Sequence, residues 1–138
     1  MALIMIVDDD AHIQLALRQI VESCGHNAIE AGNGQDAIEM FGEYRPDLVI
    51  TDIFMPQTDG IETIRAIRRI QPDARIIAIS GGYVGSGWNY LGSVVVLGAD
   101  LALQKPFTVS QLTTAIDLLL TRPTPKIANA LAPAAAIG

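Results

Sequence analysis

The sequence predicts an α/β fold, a doubly wound five-stranded parallel sheet flanked by five helices. Two observations predict it. Short apolar runs of strand length alternate five times with stretches whose apolar residues recur at helical spacing. The first run, ALIMIV (2–7), is apolar throughout, as a strand covered on both faces must be. A chain of 138 residues, half of them apolar, is the size of one domain with a real core.

Each element has its own signal. From Ala11 to Cys24, the residues Ile13, Leu17, Ile20, Val21 and Cys24 form one helical stripe, and Gly25 stands where a helix terminates. Asp10 is placed to cap that helix, and Cys24 reads as a buried packing position. NAIEA (27–31) is a second strand, and GQDAIEMFGEY (34–44) a second helix with Ala37, Ile38 and Phe41 inward. PDLVIT (46–51) is a third strand, and GIETIRAIRRI (60–70) a third helix with Ile61, Ile64, Ile67 and Ile70 on one face. ARIIAIS (74–80) is a fourth strand. WNYLGSVVVLGA (88–99) reads as a poorer helix, weakened by Gly92 and β-branched valines. DLALQ (100–104) is a fifth strand, and VSQLTTAIDLLL (109–120) a last helix with Leu112, Ala115, Ile116 and Leu119 inward. The domain is expected over 1–121. The Pro/Ala-rich stretch 122–138 is expected to be a flexible tail.

Composition removes several functions. A net charge of −6 argues against duplex DNA, which needs clustered Lys and Arg. The one basic run, Arg65, Arg68 and Arg69, reads as a solvated helix face. A single cysteine excludes an internal disulfide, and neither a signal peptide nor an apolar span is visible. The expectation is a cytoplasmic protein that binds neither nucleic acid nor membrane.

In a parallel sheet, ligands collect at the carboxyl ends of the strands. There stand Asp8, Asp9 and Asp10 after the first strand, Asp52 after the third, Ser80 after the fourth and Lys105 after the fifth. Clustered carboxylates repel one another unless a cation is present. Oxygen-only ligands suit Mg²⁺ completed by a phosphoryl group, with Asp8 and Asp9 the better candidates once Asp10 is spent on capping. Lys105 and Ser80 suit the remaining phosphoryl oxygens. Lys105 is the only lysine before the tail, where every other basic residue is arginine, which marks a chosen ammonium. Asp52 is not needed to start the next helix, because Pro56, Asp59 and Gly60 do that. It can serve as a nucleophile toward phosphorus.

With IVDDD, VITDIFMPQTDG, IIAIS and LQKPF in that order, the sequence resembles the receiver domain of bacterial two-component response regulators over residues 2–121. The resemblance implies a CheY-like, flavodoxin-like sheet of order 2-1-3-4-5. It implies that Asp52 is the phosphoacceptor, and that Asp8, Asp9, Asp52 and the Phe54 backbone carbonyl hold Mg²⁺. It also implies that Ser80 is the switch hydroxyl, that Lys105 pairs with phosphate and that the Lys105–Pro106 bond is cis. The implied donor is a phosphohistidine on a histidine kinase or phosphotransfer protein. The implied output is a changed surface, over the fourth helix, fifth strand and fifth helix, that binds a downstream protein. Such a protein is no conventional enzyme; it catalyses its own phosphorylation and slow dephosphorylation.

Two departures stand out. The family's aromatic switch position is occupied by Ala102, so Tyr83, Trp88 or Tyr90 are candidate replacements. The loop after Ser80 is long, with 24 residues before Lys105, and carries Gly81, Gly82, Gly85 and Gly87. Its spacing fits no P-loop or dinucleotide fingerprint, so the loop reads as a moving part, with the Gly81 N–H facing phosphate. Phe54 and Gly82 offer no group to place water, which implies a long-lived phosphoryl group. The leading expectation is a stand-alone switch, monomeric or weakly dimeric. Its alternatives are a receiver fragment of a hybrid kinase or DNA-binding regulator, and an aspartate-nucleophile phosphohydrolase, which would need an acid at Phe54.

Overall fold

A computed structural model describes residues 1–53, 60–81 and 98–121. Strands β1 (Leu3–Val7), β2 (Asn27–Ala31), β3 (Leu48–Asp52), β4 (Ile76–Gly81) and β5 (Leu101–Lys105) form one sheet. Among the described residues, four helices flank it: α1 (Ala11–Ser23), α2 (Gly34–Tyr44), α3 (Gly60–Ile70) and α4 (Val109–Thr121). All pairings are parallel, and the order is β2-β1-β3-β4-β5, as expected from the sequence. Most of the helix predicted over 88–99 lies outside the described residues, as do Phe54, Tyr83, Trp88, Tyr90 and the stretch 122–138.

Alternation along each strand divides the core in two. Ile4, Ile6, Leu48, Ile50, Ile77 and Ile79 face α1 and α4, where they meet Leu17, Val21, Leu112, Ile116 and Leu119. Met5, Val7, Val49, Ile76 and Ala78 face α2 and α3, where they meet Ala37, Phe41, Ile64 and Ile67. Burying each large aliphatic chain contributes about 1.5–3 kcal/mol, so the two layers are what hold the sheet. All four inward residues predicted for the last helix are buried.

Local chemistry sets the ends of α1. The Asp10 carboxylate accepts the His12 N–H at 2.8 Å, satisfying a first-turn donor. At the other end Gly25 adopts φ +88°, a conformation that side chains resist. There the Gly25 N–H donates to Glu22 O and the His26 N–H to Val21 O, closing the helix by a Schellman pattern. Cys24 is the C-cap residue and half-buried, which corrects the expectation of a buried helical position.

The basic run also needs correction. Arg65 and Arg69 are exposed, but Arg68 is a staple rather than a solvated charge. Its guanidinium donates to Gly98 O at 2.8 Å and Pro72 O at 3.0 Å, also reaches Ala74 O, and pairs with Asp100 at 2.9 Å. The Asp100 carboxylate in turn accepts the Ile76 N–H at 2.8 Å. This also explains why β4 begins at Ile76 and not at Ala74. The Ala74 carbonyl goes to Arg68, and its N–H to Gln71 O at 3.0 Å, in the turn that follows α3.

Candidate functional site

The carboxyl edge of the sheet gathers residues from four strands. β3 ends on Asp52 and β5 on Lys105, each one residue later than the apolar pattern predicts, because ladder pairing continues to Asp52↔Ile79 and Gly81↔Lys105. The backbones of Ser80 and Gly81 belong to β4 beside them. Asp8 directly follows β1, its N–H donating to Ala31 O at 3.1 Å.

The carboxylates of Asp8, Asp9 and Asp52 each place an oxygen within 4.8 Å of the others. Asp8 and Asp52 are buried, at 1% and 6% exposure, while Asp9 is open to solvent. Lys105 enters from β5, with Nζ 3.3 Å from Asp52 Oδ2 and 4.0 Å from Asp8 Oδ2. Among the described residues, three carboxylates therefore face one ammonium. The Lys105–Pro106 peptide is cis.

Asp8 shows the strain of this arrangement. Its carboxyl is pushed from the usual 3.8 up to about 6, chiefly because burial penalises its charge. The Asp10 N–H donating to Oδ1 at 2.9 Å works the other way. The neighbouring charge of Asp52 raises the value further, Lys105 lowers it, and Asp9 raises it again. Oδ2 is buried and accepts no hydrogen bond from the described residues. A buried carboxylate oxygen without a donor, beside two further carboxylates, fits a hard divalent cation such as Mg²⁺.

Two further residues support the site in ways not expected from the sequence. Gln14 of α1 donates Nε2 to Asp8 O at 2.7 Å and to Ala31 O at 3.1 Å. The available signal was a polar residue on the stripe that buries Leu17 and Val21, at spacings of three and seven. From the sequence, Gly60 is expected to make the turn and start the next helix. A Cβ there would lie 2.5 Å from Asp52 O and 2.6 Å from Ile53 Cα, so glycine lets α3 start against the backbone that carries Asp52. The Gly60 N–H donates to Ile53 O at 3.1 Å across that contact. Ala102, where the resemblance places an aromatic switch residue, is half-buried in β5 opposite Ala78.

A parallel sheet of this order, with an acidic cluster and a lysine at its carboxyl edge, is the arrangement of a receiver-type fold. The chain belongs to the response regulator receiver domain family, whose model matches residues 4–117. It is 36% identical over 115 residues to the chemotaxis protein CheY of Thermotoga maritima, covering 83% of this chain and 93% of that one. It is 31% identical over 122 residues to the response regulator MprA of Mycolicibacterium vanbaalenii, covering 88% of this chain but 52% of the relative. Among solved structures, a response regulator receiver domain protein from Clostridium thermocellum superposes with a TM-score of 0.79 at 27% identity, covering 87% of this chain and 94% of that one. Both single-domain and longer regulators are thus similar to it. Among the described residues no helix is long and apolar enough to cross a membrane.

Proposed function

We propose that this chain is a phosphoacceptor switch in which Asp52 receives a phosphoryl group from a phosphohistidine. The carrying observation is the buried Asp52 carboxylate, with the Lys105 ammonium 3.3 Å away and two further carboxylates within 4.8 Å. An Asp52 oxygen attacks phosphorus, the P–N bond of the donor breaks, and the electron pair returns to the imidazole, which takes up a proton. Lys105 holds the incoming oxygens as a point charge. Ser80 and the Gly81 N–H, at the end of the neighbouring strand, supply hydrogen bonds to the same group. Asp8, Asp9 and Asp52 hold Mg²⁺, which supplies positive charge to offset the phosphoryl oxygens.

The partners of this reading are a histidine kinase or phosphotransfer protein upstream and a protein target downstream, in the cytoplasm. The acyl phosphate adds charge beside Lys105 and shifts the surface around β5 and α4 that the target reads. The test is Mg²⁺-dependent labelling by a small phosphodonor, followed by intact mass. Wild type is expected to take up one phosphoryl group and Asp52→Asn none. An unlabelled wild type, or equal labelling of Asp52→Asn, overturns the reading.

A further inference from the structure

We infer that Gln14 is a positioning residue for the metal site, aiming the Asp8 and Asp9 carboxylates by pinning the peptide between them. The inference rests on the function proposed above and adds a residue to it. The carbonyl that Gln14 holds at 2.7 Å belongs to the Asp8–Asp9 peptide unit. That unit is planar, so fixing its oxygen also fixes the N–H and the Cα of Asp9. One contact on α1 therefore sets the origin of two ligand side chains. The orientation of the carboxamide is unambiguous, since both its neighbours are carbonyl oxygens and only the NH₂ end can donate to them.

Asp8 is consequently held at every other polar atom. Its N–H donates to Ala31 O, its carbonyl accepts from Gln14, and Oδ1 accepts from the Asp10 N–H. Oδ2 alone is left facing the acidic cluster, 4.0 Å from Lys105 Nζ. Gln14 also bridges to Ala31 O at 3.1 Å, tying the ends of β1 and β2 at the site.

A purely structural role for Gln14 would duplicate an existing one. Arg18, one turn further along α1, already fastens the helix to β2 through Glu30 at 2.9 Å and Ala28 O at 3.2 Å. The two residues divide the work: Arg18 docks the helix, and Gln14 aims the ligands.

The experiment titrates Mg²⁺ alone into the full chain by isothermal calorimetry, with thermal unfolding measured on the same samples. Gln14→Met keeps the length and removes the donors. Gln14→Asn keeps the amide but withdraws it by one methylene, and serves if the first variant does not fold. Either is expected to bind Mg²⁺ about 10-fold more weakly, as loss of an outer-shell partner does. Arg18→Met is the control, expected to unfold at lower temperature with wild-type Mg²⁺ affinity. Wild-type affinity in a folded Gln14 variant overturns the inference while leaving the proposed function standing. So does an equal loss of affinity in Arg18→Met, which would reduce Gln14 to general helix docking. No Mg²⁺ binding by wild type would overturn both.

Discussion

Lys105 Nζ lies 3.3 Å from Asp52 Oδ2 and 4.0 Å from Asp8 Oδ2, so one ammonium spans the two buried carboxylates. It occupies the electrostatic role that a divalent cation would share. Lys105→Met should therefore bind Mg²⁺ several-fold more tightly than wild type, since a competing positive charge is gone, while labelling of Asp52 slows. Calorimetry and labelling kinetics read the two effects separately. Unchanged Mg²⁺ affinity would mean that the ammonium and the ion do not compete.

Asp8 makes stability depend on pH with an unusual sign. Its folded pKa of about 6 lies above the ordinary 3.8, so the folded state binds the extra proton. The stability associated with that proton is complete below pH 3.8 and is lost as pH rises through about 6. The shift corresponds to about 3 kcal/mol. Urea unfolding without Mg²⁺ should show Asp8→Asn more stable than wild type at about pH 7.5, with the difference vanishing near pH 4. Adding Mg²⁺ should stabilise wild type and not the variant. Parallel pH profiles for the two proteins would refute this.

Gly60→Ala tests the close approach of α3 to β3. In an unconstrained helix the change would be favourable by about 1 kcal/mol. Here the new methyl would meet backbone atoms of Asp52 and Ile53 at 2.5–2.7 Å, which no rotamer relieves. The expected outcome is a loss of about 2 kcal/mol in urea unfolding, together with slower Asp52 labelling because the displaced backbone carries the Asp52 carboxylate. A stabilised variant would show that the contact relaxes freely.

Arg68→Met should cost about 3 kcal/mol, because it takes the guanidinium from the largely buried Asp100 carboxylate and from the carbonyls of Gly98, Pro72 and Ala74. The paired replacement Arg68→Met with Asp100→Asn should recover part of this, since asparagine can still accept the Ile76 N–H. A double-mutant cycle with no coupling would show the staple to be ornamental.

Much of this architecture could be read from the residues alone, for identifiable reasons. α3 and its inward isoleucines were legible because their spacing is regular and Gly60 punctuates the start. Asp52 and Lys105 were legible because each is a charge set directly after an apolar strand, at the edge where parallel sheets bind ligands. Arg68 was misread because periodicity reports which face a residue lies on and not how far a long side chain reaches. Gln14 shows in the sequence only as a polar residue on the buried stripe, and that does not reveal its partners, because they are main-chain carbonyls. Cys24 was displaced by one position because helix ends are set by capping, here by Gly25, rather than by the apolar stripe.

The edge position of β5 has a consequence for how this molecule can be assayed. Asp8 follows β1, Asp52 ends β3 and Lys105 ends β5, and this last strand is paired on the described sheet only to β4. The site is assembled from separate segments of the chain, and fraying of that margin strand would withdraw the ammonium while leaving the Asp52 carboxylate in place. On the proposed function, labelling of Asp52 should therefore report on the pairing of β5 with β4. Under mild denaturant the yield of labelled protein should fall before the helical signal does, with the margin strand the first to exchange its amides.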